Sequence, residues 1–358
     1  MSLHEKTHPR FKNFGEFLLG CAADEVLRSG STVTGDARRL AGLVAAAGSD
    51  ELSTLSPVPV PQQFSDVLLE RMFDFSRVAK RCRKVPVGND GVQLPAFRES
   101  SRADGSRLGG ISSYWLAETQ APQVSRTAFQ QIKQNTGSLV VLVPVTEELV
   151  ARVPALGETL MQAAAEEIAV VTDSAIIQGN GVGKPCGILN DSCVIEVAKE
   201  SGQAAGTILR ENVLKMLERL WPYSDPNAVW FCSRSAQRAL LNSTAEDLIN
   251  PSDGVVRFST SSTESAMSLC GLPLIVLEQC PAAGQRGDLI LADCTQYVLG
   301  DRGAVRRADS LHVRFENHER VFKFWYETDG RPIWKDAVAA MNGADQSQSP
   351  FVVLEART

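Results

Sequence analysis

Residues 155–178 read ALGETLMQAAAEEIAVVTDSAIIQ, and Gly179-Asn180-Gly181-Val182-Gly183-Lys184-Pro185 follows. Leu156, Leu160, Ala164, Ile168, Val171 and Ala175 recur at steps of three and four, the period of one face of an α-helix. Pro154 precedes the run and the glycines end it. At 1.5 Å per residue such a helix spans about 36 Å, long for an ordinary domain helix. Glu158, Glu166, Thr172 and Asp173 are expected on its polar side. Gly179, Gly181, Pro185 and Gly187 are expected to build a tight structural turn behind it.

The same glycines invite a phosphate-loop reading, and two patterns exclude it. Gln178 stands where the first glycine of G-x-x-x-x-G-K-[ST] belongs, and Pro185 where Ser or Thr should be. Lys184 takes the last glycine of G-x-G-x-x-G. The physics agrees, because a phosphate seeks the free N–H groups at a helix N-terminus and these glycines follow a C-terminus, where carbonyls are exposed. No G-x-S-x-G occurs. Paired acids such as Glu147-Glu148 and Glu166-Glu167 point to different sides of a helix and read as solvated faces.

On the N-terminal side, residues 57–61 alternate proline and valine, an extended connector that closes an N-terminal arm of residues 1–61. Leu18-Leu19-Gly20-Cys21 imitates a lipoprotein cleavage site, but Glu16 interrupts the apolar stretch such a signal needs, and an amphipathic helix over 11–27 accounts for it better. A helix is expected over 62–75, with Phe64, Val67, Leu68, Met72 and Phe75 sharing a face. Residues 85–97 read as a strand with Gly88-Asn89-Asp90-Gly91 as a turn, 99–110 as polar loop, 113–117 as a strand and 129–145 as one long strand. Together they suggest a long hairpin whose outer half finds no partner in its own chain. An isolated two-stranded ribbon is marginal in water, so another subunit is the expected support.

Beyond the long helix, 207–300 alternates helices (211–220, 235–241) with strands (228–232, 272–277, 289–291). Residues 312–316 and 321–328 alternate inward and outward, with Phe322, Phe324 and Tyr326 on one face and with Asn317-His318 and Asp329-Gly330 as turns.

The chain has 358 residues, 44% of them hydrophobic and 22% charged, with a formal charge of −6, which disfavours a protein that grips nucleic acid through its phosphates. The longest apolar run, 139–145, is too short to span a membrane. The eight cysteines form no C-x-x-C pair and read as free thiols, and the histidines lie at the two ends of the chain (His4, His8, His312, His318), so no local metal site is expected.

The stretch Ser113-Tyr114-Trp115-Leu116-Ala117-Glu118, then Phe129, then Leu142-Val143-Pro144-Val145-Thr146-Glu147-Glu148-Leu149 resembles the hairpin and exit strand of tailed-bacteriophage major capsid proteins. Asp173-x-Ala175-x-Ile177-x-Gly179-x-Gly181 followed by Pro185-x-Gly187-Ile188-Leu189 is the most specific match. Phe322-Lys323-Phe324, Asp329-Gly330-Arg331-Pro332 and Ala337 also fit, so the resemblance covers about 57–340.

It implies an α+β, HK-ninety-seven-type capsid fold. The implied parts are an N-terminal arm (1–61), a first P-domain part (62–206) with the E-loop (about 85–133) and spine helix (155–178), an axial A domain (207–300), and P-domain return strands with a C-terminal tail (301–358). The hairpin residues Arg98, Arg102, Arg107, Tyr114, Trp115, Glu118 and Arg126 are the implied inter-subunit candidates. No catalytic residue, cofactor or metal is implied.

The implied function is a self-assembling icosahedral shell of hexamers and pentamers around double-stranded DNA held without sequence-specific binding. Its implied partners are a portal and a scaffold or maturation protease, without a membrane, and it is assembled in the host cytoplasm. Some relatives crosslink through a hairpin lysine; 85–132 hold none, so a non-covalent shell is expected. Rival readings are an encapsulin-like shell around protein cargo, an α/β enzyme using the Gly179–Lys184 loop, and a minor structural protein of a phage.

Overall fold

The computed structural model describes residues 62–88, 91–116, 124, 126–153, 156–243, 258–260, 267–303, 305–341 and 346–357. The expected arm over 1–61, with its 11–27 helix and proline connector, lies outside the described residues, as does Glu118.

Among the described residues the helices are α1 (Gln62–Phe75), α2 (Glu147–Arg152), α3 (Leu156–Gln178), α4 (Arg210–Arg219) and α5 (Arg234–Ser243). The strands of the first half are β1 (Arg83–Pro86), β2 (Val92–Phe97), β3 (Phe129–Gln134), β4 (Gly137–Thr146), β5 (Ile195–Val197), β6 (Ala228–Cys232), β7 (Phe258–Thr260) and β8 (Met267–Leu269). Those of the second half are β9 (Leu272–Val276), β10 (Leu289–Asp293), β11 (Tyr297–Asp301), β12 (Arg306–Arg314), β13 (Glu319–Pro332), β14 (Val338–Ala339), β15 (Ser347–Gln348) and β16 (Phe351–Leu354).

The chain divides into two compact units. The first holds the described residues up to 76 together with 138–169 and 303–327. Its core joins Leu68 and Met72 of α1, Met161, Ala164, Ala165, Ile168 and Ala169 of α3, Val145 of β4, and Phe322, Phe324 and Tyr326 of β13. The small residues of α3 let a sheet approach the helix closely, while the aromatic side chains of β13 supply the volume. β12 pairs with β13 in antiparallel register around the turn at His318, whose φ is +50°. β4 pairs with β13 as well. The alternation of β4 turns Leu139, Val141, Val143 and Val145 inward and leaves Leu142 exposed. Phe75, expected on the buried face of α1, is half exposed instead.

The second unit holds 77–137, 170–302 and the described residues from 328 onward. Its centre is a seven-stranded sheet in the order β5-β16-β10-β6-β9-β8-β7. β6, β10 and β16 are buried along their whole length, as continuous apolar runs require of strands covered on both faces. Trp230 is fully buried and donates its indole N–H to the Leu269 carbonyl at 3.1 Å, which removes the penalty of sinking a polar group. The sequence left 351–354 in a tail; as β16 the segment lies between β5 and β10. α4 covers this sheet with Val213 and Met216 and leaves Leu214 exposed.

Three sequence expectations are corrected. Residues 129–145 form two strands, β3 and β4, because β3 pairs with β2 and β4 with β13, and the break at Asn135 is fixed by its amide donating to Asp329 Oδ2 at 2.8 Å. Asp329-Gly330 is not a turn but part of β13, opposite Leu299 and Gly300, and Gly330 is required because a Cβ there would stand 2.7 Å from the Tyr297 ring. On α3, Thr172 and Asp173 are buried and Val171 is exposed. Asp173 accepts the amides of Arg77, Val78 and Ala79, so the segment entering β1 stands where solvent was expected.

Candidate assembly interface

β2 and β3 pair in antiparallel register from Val92↔Gln134 to Phe97↔Phe129 and form a two-stranded sheet of their own. The Phe97 and Phe129 rings close its outer end, 5.5 Å apart. Gln134 anchors the base, donating to the Val298 carbonyl at 3.2 Å. Pro95 in β2 removes one ladder donor, a substitution that a strand edge tolerates.

Beyond the ladder the chain divides into a stem and a tip. In the stem, Glu99 grips Arg102 with both carboxylate oxygens, at 2.6 and 2.9 Å. The guanidinium lies 5.4 Å from the centre of the Trp221 ring and 5.5 Å from that of Trp334. The two indoles are 5.1 Å apart, and Tyr223 is 5.4 Å from Trp221. Arg107 stacks on Tyr223 at 4.7 Å. The backbone joins in, with the Arg102 amide donating to the Ala339 carbonyl at 3.0 Å and the Ala339 amide to Ser100 at 3.2 Å. Arg102 is only 7% exposed. Sequence reasoning grouped it with the inter-subunit residues; the structure places it inside its own chain, as a planar cation matched by a carboxylate and two aromatic faces. Asp104 next to it accepts from the Ser106 hydroxyl and amide, which holds its carboxyl below the ordinary value.

The tip turns sharply at 107–111, where the Arg107 and Ile111 backbones bond to each other and Leu108, Gly109 and Gly110 all have positive φ. Gly109 is needed for closeness as well as for conformation, since a Cβ would stand 2.5 Å from the Ala128 carbonyl. Leu108, at φ +51°, is held in a conformation that side chains disfavour. Residues 113–116 form no strand, contrary to the sequence expectation, and Ala117 lies outside the described residues. Tyr114 is 50% exposed, Trp115 104% and Val124 94%. Arg98 and Arg126 are exposed as well.

Behind α3 the chain turns back on the end of the helix. The Gly179 amide closes the helix on Ala175, Asn180 and Cys186 bridge, and the Gly187 amide returns to the Gly179 carbonyl at 2.8 Å. Asn190 donates to the carbonyls of Gln178 and Gly179 at 2.9 and 3.0 Å. The end of the helix therefore presents acceptors that a side-chain amide already fills, the reverse of an anion site. Pro185 and Gly187 sit in the return limb of this turn; a Cβ on Gly187 would meet the Gly179 nitrogen at 2.4 Å.

Trp221, Tyr223, Trp334 and Glu99 are the residues sequence reasoning missed. The available signal was local: Trp221-Pro222-Tyr223 packs two aromatics around a proline in a chain with few aromatics. Arg102, the partner of Trp221 and Trp334, lies more than a hundred residues earlier, and neither periodicity nor spacing could join them.

Comparison with known proteins places this geometry. The model of the phage capsid family matches residues 57–343. The major capsid protein of Klebsiella oxytoca phage phiKO2 is 26% identical over 128 residues, a stretch that is 35% of this chain and 28% of that relative's length. Among solved structures, the capsid of a native GTA particle superposes with a TM-score of 0.57 at 16% identity, covering 88% of this chain and 98% of that one. A structure from Mycobacterium phage Adephagia gives 0.51 at 16% identity, covering 78% and 89%. The SrpI encapsulin of Synechococcus elongatus gives 0.51 at 11% identity, covering 90% and 95%. These similarities establish the fold as the HK-ninety-seven-type capsid fold.

Proposed function

We propose, given that this chain belongs to the phage capsid family, that it self-assembles into the icosahedral shell of a virion and encloses packaged double-stranded DNA. The observation that carries this reading is the hairpin tip, which holds a wholly exposed Trp115 and Val124 at the end of a two-stranded ribbon. Large exposed apolar side chains on a projection mark a contact with another molecule. In a homo-oligomer that molecule is a second copy. A tip that meets a different surface on its neighbour makes a heterologous contact, and such contacts close into rings, here hexamers and pentamers. A contact of ordinary size, about 1,600 Å², then suffices, because many per subunit act together.

In this reading 1–61 is an arm, about 85–133 the E-loop, 155–178 the spine, 207–300 the axial domain and 301–358 the return segment. Arg98, Arg107, Tyr114, Trp115, Glu118 and Arg126 contribute inter-subunit contacts. The shell lining holds DNA without sequence-specific binding, in keeping with the formal charge of −6. A portal and a scaffold or maturation protease are the partners, assembly takes place in the host cytoplasm, and the shell is non-covalent.

Electron microscopy of the purified protein tests the proposal. Closed particles are expected, and a monomer at every concentration overturns it. Likeness to an encapsulin favours one second reading, a shell around protein cargo. Particles that copurify with protein and no nucleic acid decide for it.

A further inference from the structure

We infer that the Arg102 cluster is a latch that presents the hairpin tip, already positioned, to a neighbouring copy; this rests on the shell reading above. Arg102 is a positioning residue. It makes no contact with the neighbour and acts through the stem it fixes.

Four observations carry it. The ring contacts of Arg102 and Arg107 and the two backbone hydrogen bonds at Ala339 join the stem to distant parts of the same compact unit, at Trp221, Tyr223, Trp334 and Ala339, while Glu99 holds the Arg102 guanidinium in place from within the stem. The receiving side is itself braced. The Trp221 amide donates to the Ser349 carbonyl at 3.0 Å, and the Trp334 indole donates to Gln296 Oε1 at 3.2 Å. Among the described residues the β2–β3 ladder has no further strand beside it, and beyond the holds of Gln134 on Val298 and Gln130 on Ile333 it is this cluster that ties down the stem. Last, the latch is closed while Trp115 and Val124 stand open. A latch that withheld the hairpin would cover the surface it withholds. This one leaves that surface free and immobilises what lies behind it, which removes part of the ordering cost of association.

The test uses the full chain with Arg102→Ala and Arg102→Lys, reading the protein concentration at which particles appear by light scattering and microscopy. Amide hydrogen exchange is measured on subunits held below that concentration. The Arg102 and Ala339 amides are expected to be protected in the wild type, while 113–116 exchange freely. Arg102→Ala is expected to abolish that protection, keep the far-ultraviolet circular dichroism, and raise the assembly threshold by about tenfold or more. Lysine keeps the charge but loses the two-pronged grip on Glu99, so Arg102→Lys is expected to fall between.

Assembly of Arg102→Ala at or below the wild-type threshold overturns the latch and leaves the shell reading intact. A wild type that never assembles overturns the shell reading and the latch with it, whatever the variants do. Should Arg102→Ala fail to fold, the wild-type exchange decides: Arg102 and Ala339 amides as fast as 113–116 overturn the inference.

Discussion

Asp173 and Ala79 stand 94 positions apart in the chain, and Asp173 Oδ1 accepts the Ala79 amide at 2.9 Å. Its other oxygen takes the amides of Arg77 and Val78 at 2.8 and 3.3 Å. One buried carboxylate on the long helix therefore satisfies three consecutive N–H groups, much as a helix cap does, and fixes the backbone that leads into β1 and the hairpin. An amide offers a single acceptor and brings two donors of its own. Asp173→Asn is expected to cost about 2–3 kcal/mol, the scale of charge-assisted hydrogen bonds. Urea denaturation measures it, and an unchanged midpoint refutes the assignment.

Arg357 and Asp288 form an ion pair that is fully buried on both sides. Arg357 also donates to the carbonyls of Thr207 at 2.6 Å and Glu355 at 3.0 Å. Burial holds the Asp288 carboxyl above the ordinary carboxylate value, against the pull of the Gly284 amide and Arg357. Arg357→Ala leaves that carboxyl buried without its counter-charge and is expected to cost about 3–5 kcal/mol. A carboxyl whose folded pKa lies above its unfolded one stabilises at acid pH and loses that contribution as pH rises through the folded value. The variant should therefore lose more stability than the wild type as pH rises above the ordinary carboxylate range. Parallel curves refute this.

Burial pushes the Cys232 thiol up to about 12 and the Cys270 thiol to about 11, and it also raises Cys193 and Cys280 and the Tyr297 phenol. Folded pKa values above the unfolded ones confer stability that is complete below about pH 9 and is lost as pH climbs through the higher values. The melting temperature should fall steadily from about pH 9 upward, and Cys232→Ala should soften the fall. Thiol reagents at neutral pH should label the native protein slowly and the unfolded chain fast, because the thiolate is the nucleophile. Rapid native labelling of Cys232 refutes the burial argument.

Trp115 is fully exposed and packs on none of the described residues, so Trp115→Ser is expected to shift stability by no more than about 0.5 kcal/mol. The same substitution should prevent or greatly delay particle formation. Wild-type particles from this variant count against the tip as an assembly surface.

The turn behind α3 separates two kinds of glycine. A Cβ on Gly179 would stand 2.1 Å from the Pro185 carbonyl, whereas one on Gly183 meets nothing within 4 Å although its φ is +65°. Gly179→Ala should cost about 1–3 kcal/mol or more as an overpacked site. Gly183→Ala should cost about 1 kcal/mol, the left-handed penalty alone. Equal losses in thermal melts contradict this assignment.

Period and punctuation in the sequence determined the long helix, the glycine turn behind it, the strands at 228–232 and 289–291, the hairpin and the family resemblance. Those signals are local, since side-chain direction repeats every 3.6 or 2 residues wherever the chain lies. The tertiary structure alone decided which polar residues go inside and which strands share a sheet. Asp173 looks solvated until Ala79 is brought to it. Arg102 looks like a surface cation until Trp221 and Trp334 close around it. Residues 351–354 look like a tail until β5 and β10 flank them. Each of these depends on partners distant in the chain, and only the folded chain brings such partners within bonding distance.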